Sequence, residues 1–314
     1  MSPLLSFLTL LAATAPQVLA SCAYGTHLHP RAEAGAFEAP KFGYDATKGP
    51  ANWFHLDPKV NAMCAHGTNQ SPINMVQGAF NLIPASELTL DIPDFTEGAE
   101  FENLGTTVEI VAEGGSLELG NTSYSLKQFH FHLPSEHLDN GTSMAMEMHM
   151  VWASEDDEIA VIGVYIDLDD GAAAKCSAAS NIQIGKTEKR QALDPRQADV
   201  ATPSTMVETV LGSVDKIPAP GDTHHTDPLV MSELVKLLTS GSFQSYGGSL
   251  TTPPCSEGVK WLVSNKKVSI NTSTYLKARS VIGYNARFPQ NSPGEDNLLM
   301  IHAQSADASG EEED

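Results

Sequence analysis

Apolar positions recur in short runs set between Gly and Pro residues, at 88–92, 107–112, 116–119, 124–133, 145–153, 159–168 and 259–263. Runs of this length, rich in β-branched and aromatic residues, predict strands. Apolar spacings of three and four appear in only two places, 205–217 and 228–239, and predict short helices there. No repeat of solenoid or propeller length is present. The pattern therefore predicts a mostly β domain with short helices packed outside it.

The chain's two ends depart from this pattern. Residues 1–20 carry an apolar stretch from Leu4 to Ala15 and then Val18-Leu19-Ala20, a small-residue ending suited to cleavage, so they read as a secretory signal although no Lys or Arg precedes the stretch. Residues 21–41 read as an N-terminal extension and 42–303 as the domain. The acidic tail, 304–314, has no reason to be ordered. Within the domain, 169–227 is rich in Ala, Asp, Lys and Pro and reads as a surface insertion, with Lys186-Thr187-Glu188-Lys189-Arg190 as its protease-sensitive point.

Charge narrows the partners. The 314 residues carry a net charge of −21, which repels phosphate backbones and anionic lipid, so nucleic acid and membrane surfaces are excluded as partners. A small-molecule substrate remains, and a homodimer stays open. Cys22, Cys64, Cys176 and Cys255 have no zinc-type spacing, and an even number in an exported chain favours disulfides, with three pairings available. Glycan-acceptor motifs at Asn121, Asn140 and Asn271 suit a secreted, extracellular glycoprotein; Asn69 also fits the motif but precedes Ser-Pro and is set aside.

The chemistry concentrates in two alternating segments. In a strand, Gln128-Phe129-His130-Phe131-His132-Leu133 puts Gln128, His130 and His132 on one face and the apolar residues on the other. Met146-Glu147-Met148-His149-Met150-Val151 likewise puts Glu147, His149 and Val151 together. The intervening Asp139-Asn140-Gly141 is a turn signal, so the two strands can pair and bring three imidazoles to one patch. Three neutral His ligands leave Zn2+ one open position for water, the composition of a catalytic rather than a structural site. Gln128 and Glu147, each two residues before a His on the same face, suit the second nitrogen of the ring that follows.

These segments resemble the α-class carbonic anhydrases, in QFHFHLPSEH from Gln128 to His137 and EMHMV from Glu147 to Val151. The resemblance recurs in Phe42-Gly43-Tyr44, Gln70-Ser71-Pro72-Ile73, Tyr246-Gly247-Gly248-Ser249-Leu250-Thr251-Thr252-Pro253-Pro254, Val259-Lys260-Trp261 and Asn285-Ala286-Arg287, in the family order. It implies a single domain on a large, twisted, mostly antiparallel sheet with short peripheral helices. It implies a zinc enzyme that reversibly hydrates CO2 to bicarbonate by attack of zinc-bound hydroxide, with weak ester cleavage as a side activity. His130, His132 and His149 would be the ligands. The Thr251 hydroxyl would donate to Glu136 and so only accept from the nucleophile. Thr252 and the Thr251 N–H would line the bicarbonate position, Val151, Val161, Leu250, Val259 and Trp261 the CO2 wall, and Tyr44 would hold the cleft waters.

Two further expectations come from the same resemblance. Cys64 and Cys255 match a disulfide of secreted members that ties down the loop carrying Thr251, while Cys22 and Cys176 remain to pair with each other or with another subunit. Where many members read Asn-x-Gly-His, this chain reads Asn103-Leu104-Gly105-Thr106, so Thr106 stands at the proton-shuttle position without a group that titrates near pH 7. An acid of pKa near 7 releases protons to bulk water only about 10³ times per second, so turnover is expected to depend on external buffer. His27, His29, His66, His224 and His225 are candidates to substitute, with the surface as their default place. The rival reading is a catalytically impaired carbonic-anhydrase-like binding or storage protein; the intact set of His ligands, Glu136 and Thr251 weighs against it.

Overall fold

The computed structural model describes residues 26, 37, 39–112, 114–169 and 201–301. In chain order its strands are β1 (Asn74–Met75), β2 (Asn81–Pro84), β3 (Leu88–Asp91), β4 (Glu100–Asn103), β5 (Val108–Val111), β6 (Ser116–Leu119), β7 (Thr122–His132) and β8 (Leu138–Asp139). They continue as β9 (Met146–Ser154), β10 (Ile159–Leu168), β11 (Thr202–Pro203), β12 (Thr223–His225), β13 (Ser242–Ser249), β14 (Glu257–Ser264) and β15 (Val268–Ile270). The helices are α1 (Trp53–Leu56), α2 (Ala62–His66), α3 (Thr205–Gly212), α4 (Met231–Thr239) and α5 (Thr272–Ile282).

One thirteen-stranded sheet organises the molecule, with a main path β12-β4-β5-β7-β9-β10-β14-β13-β2. Most neighbours are antiparallel, but β10 runs parallel to both β14 and β15, so the sheet is mixed. β9 and β10 are buried along almost their whole length because both faces are covered. One face, with Met148, Met150, Trp152, Ile162 and Val164, joins the larger core with α3 and α4; the other, with Val151, Val161 and Tyr165, joins a smaller core around Trp261 and Tyr246.

A register shift between Leu126 and Gln128 sets the faces of β7. Before it, Tyr124 and Leu126 point to the larger core; after it, Phe129 and Phe131 do. A bulge reverses the parity of a strand. Here it delivers Gln128, His130 and His132 to the face opposite the larger core.

The predicted strands and both predicted helices form with ends shifted by a few residues at most, the first helix passing into a short 3-10 turn at Val214–Lys216. α5 and β13 give weaker signals. α5 fully buries only Thr274 and Ala278 and packs Tyr275, Val281 and Ile282 half-buried against the core, so its apolar stripe is weak, and the Gly, Ser and Gln positions of β13 break its alternation.

The surface-insertion reading of 169–227 needs correction for its second half. Met206, Val207, Val210 and Leu211 of α3 are buried, Ser204 caps that helix by accepting from the Val207 N–H at 3.3 Å, and β12 completes the edge of the sheet beside β4. This half belongs to the core because its apolar residues recur on one helical face. The first half and its basic cluster, the leader, the tail, Cys22, Cys176, His27 and His29 lie outside the described residues.

Candidate metal centre

β7 and β9 are adjacent and antiparallel, and their register sets His130 directly opposite His149. His132 follows two residues along the same face. The ring centroids of His132 and His149 are 4.5 Å apart, those of His130 and His132 5.0 Å, and those of His130 and His149 5.4 Å. One ligand atom from each lies within 4.8 Å of the others, and all three rings are buried.

Hydrogen bonds fix which nitrogens face inward. His130 Nδ1 lies 2.8 Å from Gln128 Oε1, His132 Nδ1 2.9 Å from the Asn285 carbonyl, and His149 Nε2 3.0 Å from Glu147 Oε1. All three partners are acceptors, so these nitrogens carry the protons and the opposite ones hold lone pairs. Gln128 and Glu147 sit where the alternation places them; Asn285 comes from a segment 153 residues away.

Two of the inward nitrogens, His132 Nε2 and His149 Nδ1, are buried without a hydrogen-bond partner among the described residues. Burial, followed by the neighbouring imidazoles, holds His130 well below the usual range and pushes His132 down to about 3. Burial lowers His149 as well, against the pull of Glu147. Neutral imidazoles with buried, unshared lone pairs fit a divalent metal, which requires that form.

Glu147 anchors a hydrogen-bonded chain behind His149. Its Oε1 also accepts from His137 Nδ1 at 2.7 Å, and its Oε2 accepts the N–H groups of Glu136 at 2.9 Å and His137 at 2.8 Å. Burial alone would raise this carboxyl, but His137 and His149 outweigh it and hold it well below the usual carboxylate range. With Nδ1–H committed, His137 Nε2 can accept from the Tyr246 hydroxyl, 2.7 Å away, which can in turn accept from Ser71 Oγ at 2.8 Å. The Ser249 N–H donates to Ser71 Oγ at 3.0 Å and the Ser71 N–H to Ser249 Oγ at 2.9 Å, so the chain ends two residues before Thr251. His137, Glu147 and His149 form a second cluster of ligand types, but both His137 nitrogens are already engaged.

Thr251 and Glu136, 115 positions apart, are brought together: the Thr251 hydroxyl bonds to the buried Glu136 carboxyl. Burial raises Glu136 well above its ordinary range, while the Arg287 N–H, 2.8 Å from Oε1, and the Thr251 hydroxyl oppose that. The Arg287 guanidinium is buried, donating to Gln70 Oε1 at 3.0 Å and to the Ser71 carbonyl at 2.7 Å, and lies over the Trp53 ring. The Cys64–Cys255 disulfide forms, joining α2 to the loop after Thr251.

Val151, Val161, Leu250, Val259 and Trp261 gather in one buried cluster. Thr252 is buried, and Tyr44 stands edge-on to Trp53 and Tyr284. Thr106 is buried in the turn before β5. His66 lies on α2 against Met300 Sδ, and His224 and His225 lie on edge strand β12, three strands from β7.

Asn121 occupies the exposed turn between β6 and β7. The Asn140 amide donates to Asp139 Oδ1 at 2.9 Å and accepts from the Gln77 N–H at 2.9 Å. The Asn271 amide donates to Glu208 Oε1 at 2.8 Å at the start of α5. His137, Tyr246, Asn285 and Arg287 appear in the sequence motifs without a role, because their partners lie on other elements.

A family model described as eukaryotic-type carbonic anhydrase matches residues 48–298. A carbonic anhydrase of Pectobacterium atrosepticum is 32% identical over 250 residues, 79% of this chain and 86% of its own. A fungal α carbonic anhydrase from Aspergillus oryzae superposes with a TM-score of 0.72 at 33% identity, over 84% of this chain and 98% of its own. The α-carbonic anhydrase of Thermovibrio ammonificans, solved with sulfanilamide, gives 0.63 at 28% identity, over 84% and 99%.

Proposed function

Because the chain belongs to the eukaryotic-type carbonic anhydrase family, we propose that it catalyses the reversible hydration of CO2 to bicarbonate and a proton at a zinc ion held by His130, His132 and His149. The observation that carries this reading is the pair of buried imidazole nitrogens, His132 Nε2 and His149 Nδ1, turned toward each other and His130 with no hydrogen-bond partner among the described residues. When bound, zinc supplies the Lewis acid that makes hydroxide available from water near neutral pH, a property known from carbonic anhydrases themselves.

The chain's own groups then orient the reaction. Glu136 as carboxylate accepts the hydrogen bond of the Thr251 hydroxyl, a state that a nearby divalent cation and the Arg287 N–H both favour. The Thr251 oxygen can then only accept, so it turns the nucleophile's proton toward itself and a lone pair toward the CO2 carbon. Val151, Val161, Leu250, Val259 and Trp261 offer CO2 an apolar wall, while Thr252 and the Thr251 N–H receive the bicarbonate oxygens. Gln128, Glu147 and the Asn285 carbonyl hold the ligand rings in the required tautomers. Tyr44 orders water at the mouth of the site. Thr106 cannot carry the proton away, so external buffer does.

The leader and the disulfide support secretion, with Asn121, Asn140 and Asn271 as glycan acceptors and Cys22 and Cys176 as a further pair. Among the described residues no helix is long and apolar enough to cross a membrane.

Stopped-flow CO2 hydration at two buffer concentrations, with and without a zinc chelator, tests this reading. It predicts activity that rises with buffer and disappears with chelator. One zinc per chain without hydration would instead establish a binding or storage role, and a faster rate on an activated ester than on CO2 would make ester hydrolysis the main activity.

A further inference from the structure

We propose that the side-chain amide of Asn285 is a positioning residue that holds the His132 ring for zinc and fastens the turn at Thr106 to the same strand; this rests on the zinc reading above. Asn285 is 1% exposed and follows Gly283, whose φ of 69° lets the chain leave α5 in a left-handed conformation.

Every polar atom of Asn285 is engaged. Its N–H donates to the Leu133 carbonyl at 3.0 Å, and its own carbonyl accepts from His132 Nδ1 at 2.9 Å. In the side chain, Oδ1 accepts the Leu133 N–H at 2.7 Å, and Nδ2 donates to the Phe131 carbonyl at 2.8 Å and the Thr106 carbonyl at 3.0 Å. The amide thus grips the residues immediately before and after the ring that its carbonyl serves.

The other two ligand rings need no such grip. Gln128 and Glu147 lie on the strands of the rings they hold, so strand geometry places them. Asn285 lies in irregular chain after α5, where no ladder sets the height of its carbonyl. Beside the single backbone bond from the Asn285 N–H to the Leu133 carbonyl, the side-chain amide supplies the two further bonds that register that carbonyl against the end of β7. Through Nδ2 it also joins the 104–107 turn, closed by the Leu104 N–H donating to the Thr107 carbonyl at 2.9 Å, so the metal ring and the shuttle position share one anchor.

The test uses the zinc-loaded full chain and two variants. Asn285→Asp keeps the acceptor for Leu133 but sets an oxygen against two carbonyls; Asn285→Ser removes the fork without adding charge. Zinc release to excess chelator is followed together with the visible spectrum of the Co2+-loaded form and the melting temperature of the metal-free form. Asn297→Ala is the control, because Asn297 is also buried and donates to the Gly67 carbonyl at 3.0 Å, away from the ligand rings.

Both Asn285 variants are expected to release zinc about 10- to 100-fold faster than wild type and to shift the Co2+ bands, whereas Asn297→Ala lowers the melting temperature and leaves release unchanged. Wild-type release from folded Asn285 variants, equal acceleration by Asn297→Ala, or failure of both Asn285 variants to fold with saturating zinc overturns the proposal. A wild type that binds no zinc overturns the zinc reading itself.

Discussion

His132 shows how burial and chemistry meet in one side chain. Its ring is held neutral down to about 3, against an ordinary value of 6.5, first by burial and then by His149. The folded value lies below the unfolded one, so protons favour the unfolded chain: the contribution to stability is complete above about pH 6.5 and is lost as pH falls toward about 3. The melting temperature of the metal-free protein should therefore fall between about pH 6.5 and 4, and less steeply in His132→Asn. Parallel profiles for the two would show that this ring carries no such linkage. At Thr106 the expectation concerns rate. Thr106→His should raise CO2 turnover at low buffer and change little at high buffer; a wild-type rate already independent of buffer would refute the missing-shuttle argument.

Among the elements, the β9–β10 pair sets how much room the ligands have. Gly163 lies opposite His149 across this pair, and a Cβ there would stand 2.9 Å from Glu147 Oε1. That carboxylate already accepts from both His137 and His149, so it cannot retreat without dropping a donor. Gly163→Ala should weaken zinc binding by disturbing the His149 ring while the strand itself persists; wild-type zinc affinity in the folded variant would show that the carboxylate has slack. The bulge in β7 is the other structural choice at this scale. Period-two alternation shows which residues share a face within 128–133, but the shift between Leu126 and Gln128 decides that this face lies opposite the larger core.

For the whole molecule, the Cys64–Cys255 bond closes a loop of large sequence separation, 191 residues. In a chain-entropy account such a cross-link restricts the unfolded ensemble, and removing it costs about 2–5 kcal/mol. The double variant Cys64→Ala, Cys255→Ala should melt at lower temperature yet still bind zinc, because the ligands stand on β7 and β9; loss of zinc binding in the folded variant would mean that the constraint reaches the ligands. Both cysteines are recognisable in the sequence by their neighbouring motifs. That they pair is a matter of the fold bringing α2 to the end of β13.

The sequence by itself determined the mainly β pattern, the two amphipathic helices, and the shared face of Gln128, His130 and His132 and of Glu147 and His149, because strand and helix periodicity are local properties of neighbouring residues. The expectation that Thr106 replaces a shuttle imidazole comes from the family resemblance of 103–106 and not from periodicity. Tertiary structure alone decided that 201–227 is partly core, that the Asn285 carbonyl supplies the third ring's acceptor, and that the Arg287 N–H joins the Thr251–Glu136 pair that the family resemblance implies. Those contacts join residues tens to hundreds of positions apart, and no local periodicity records a distance that only the packing of separate strands and helices can set.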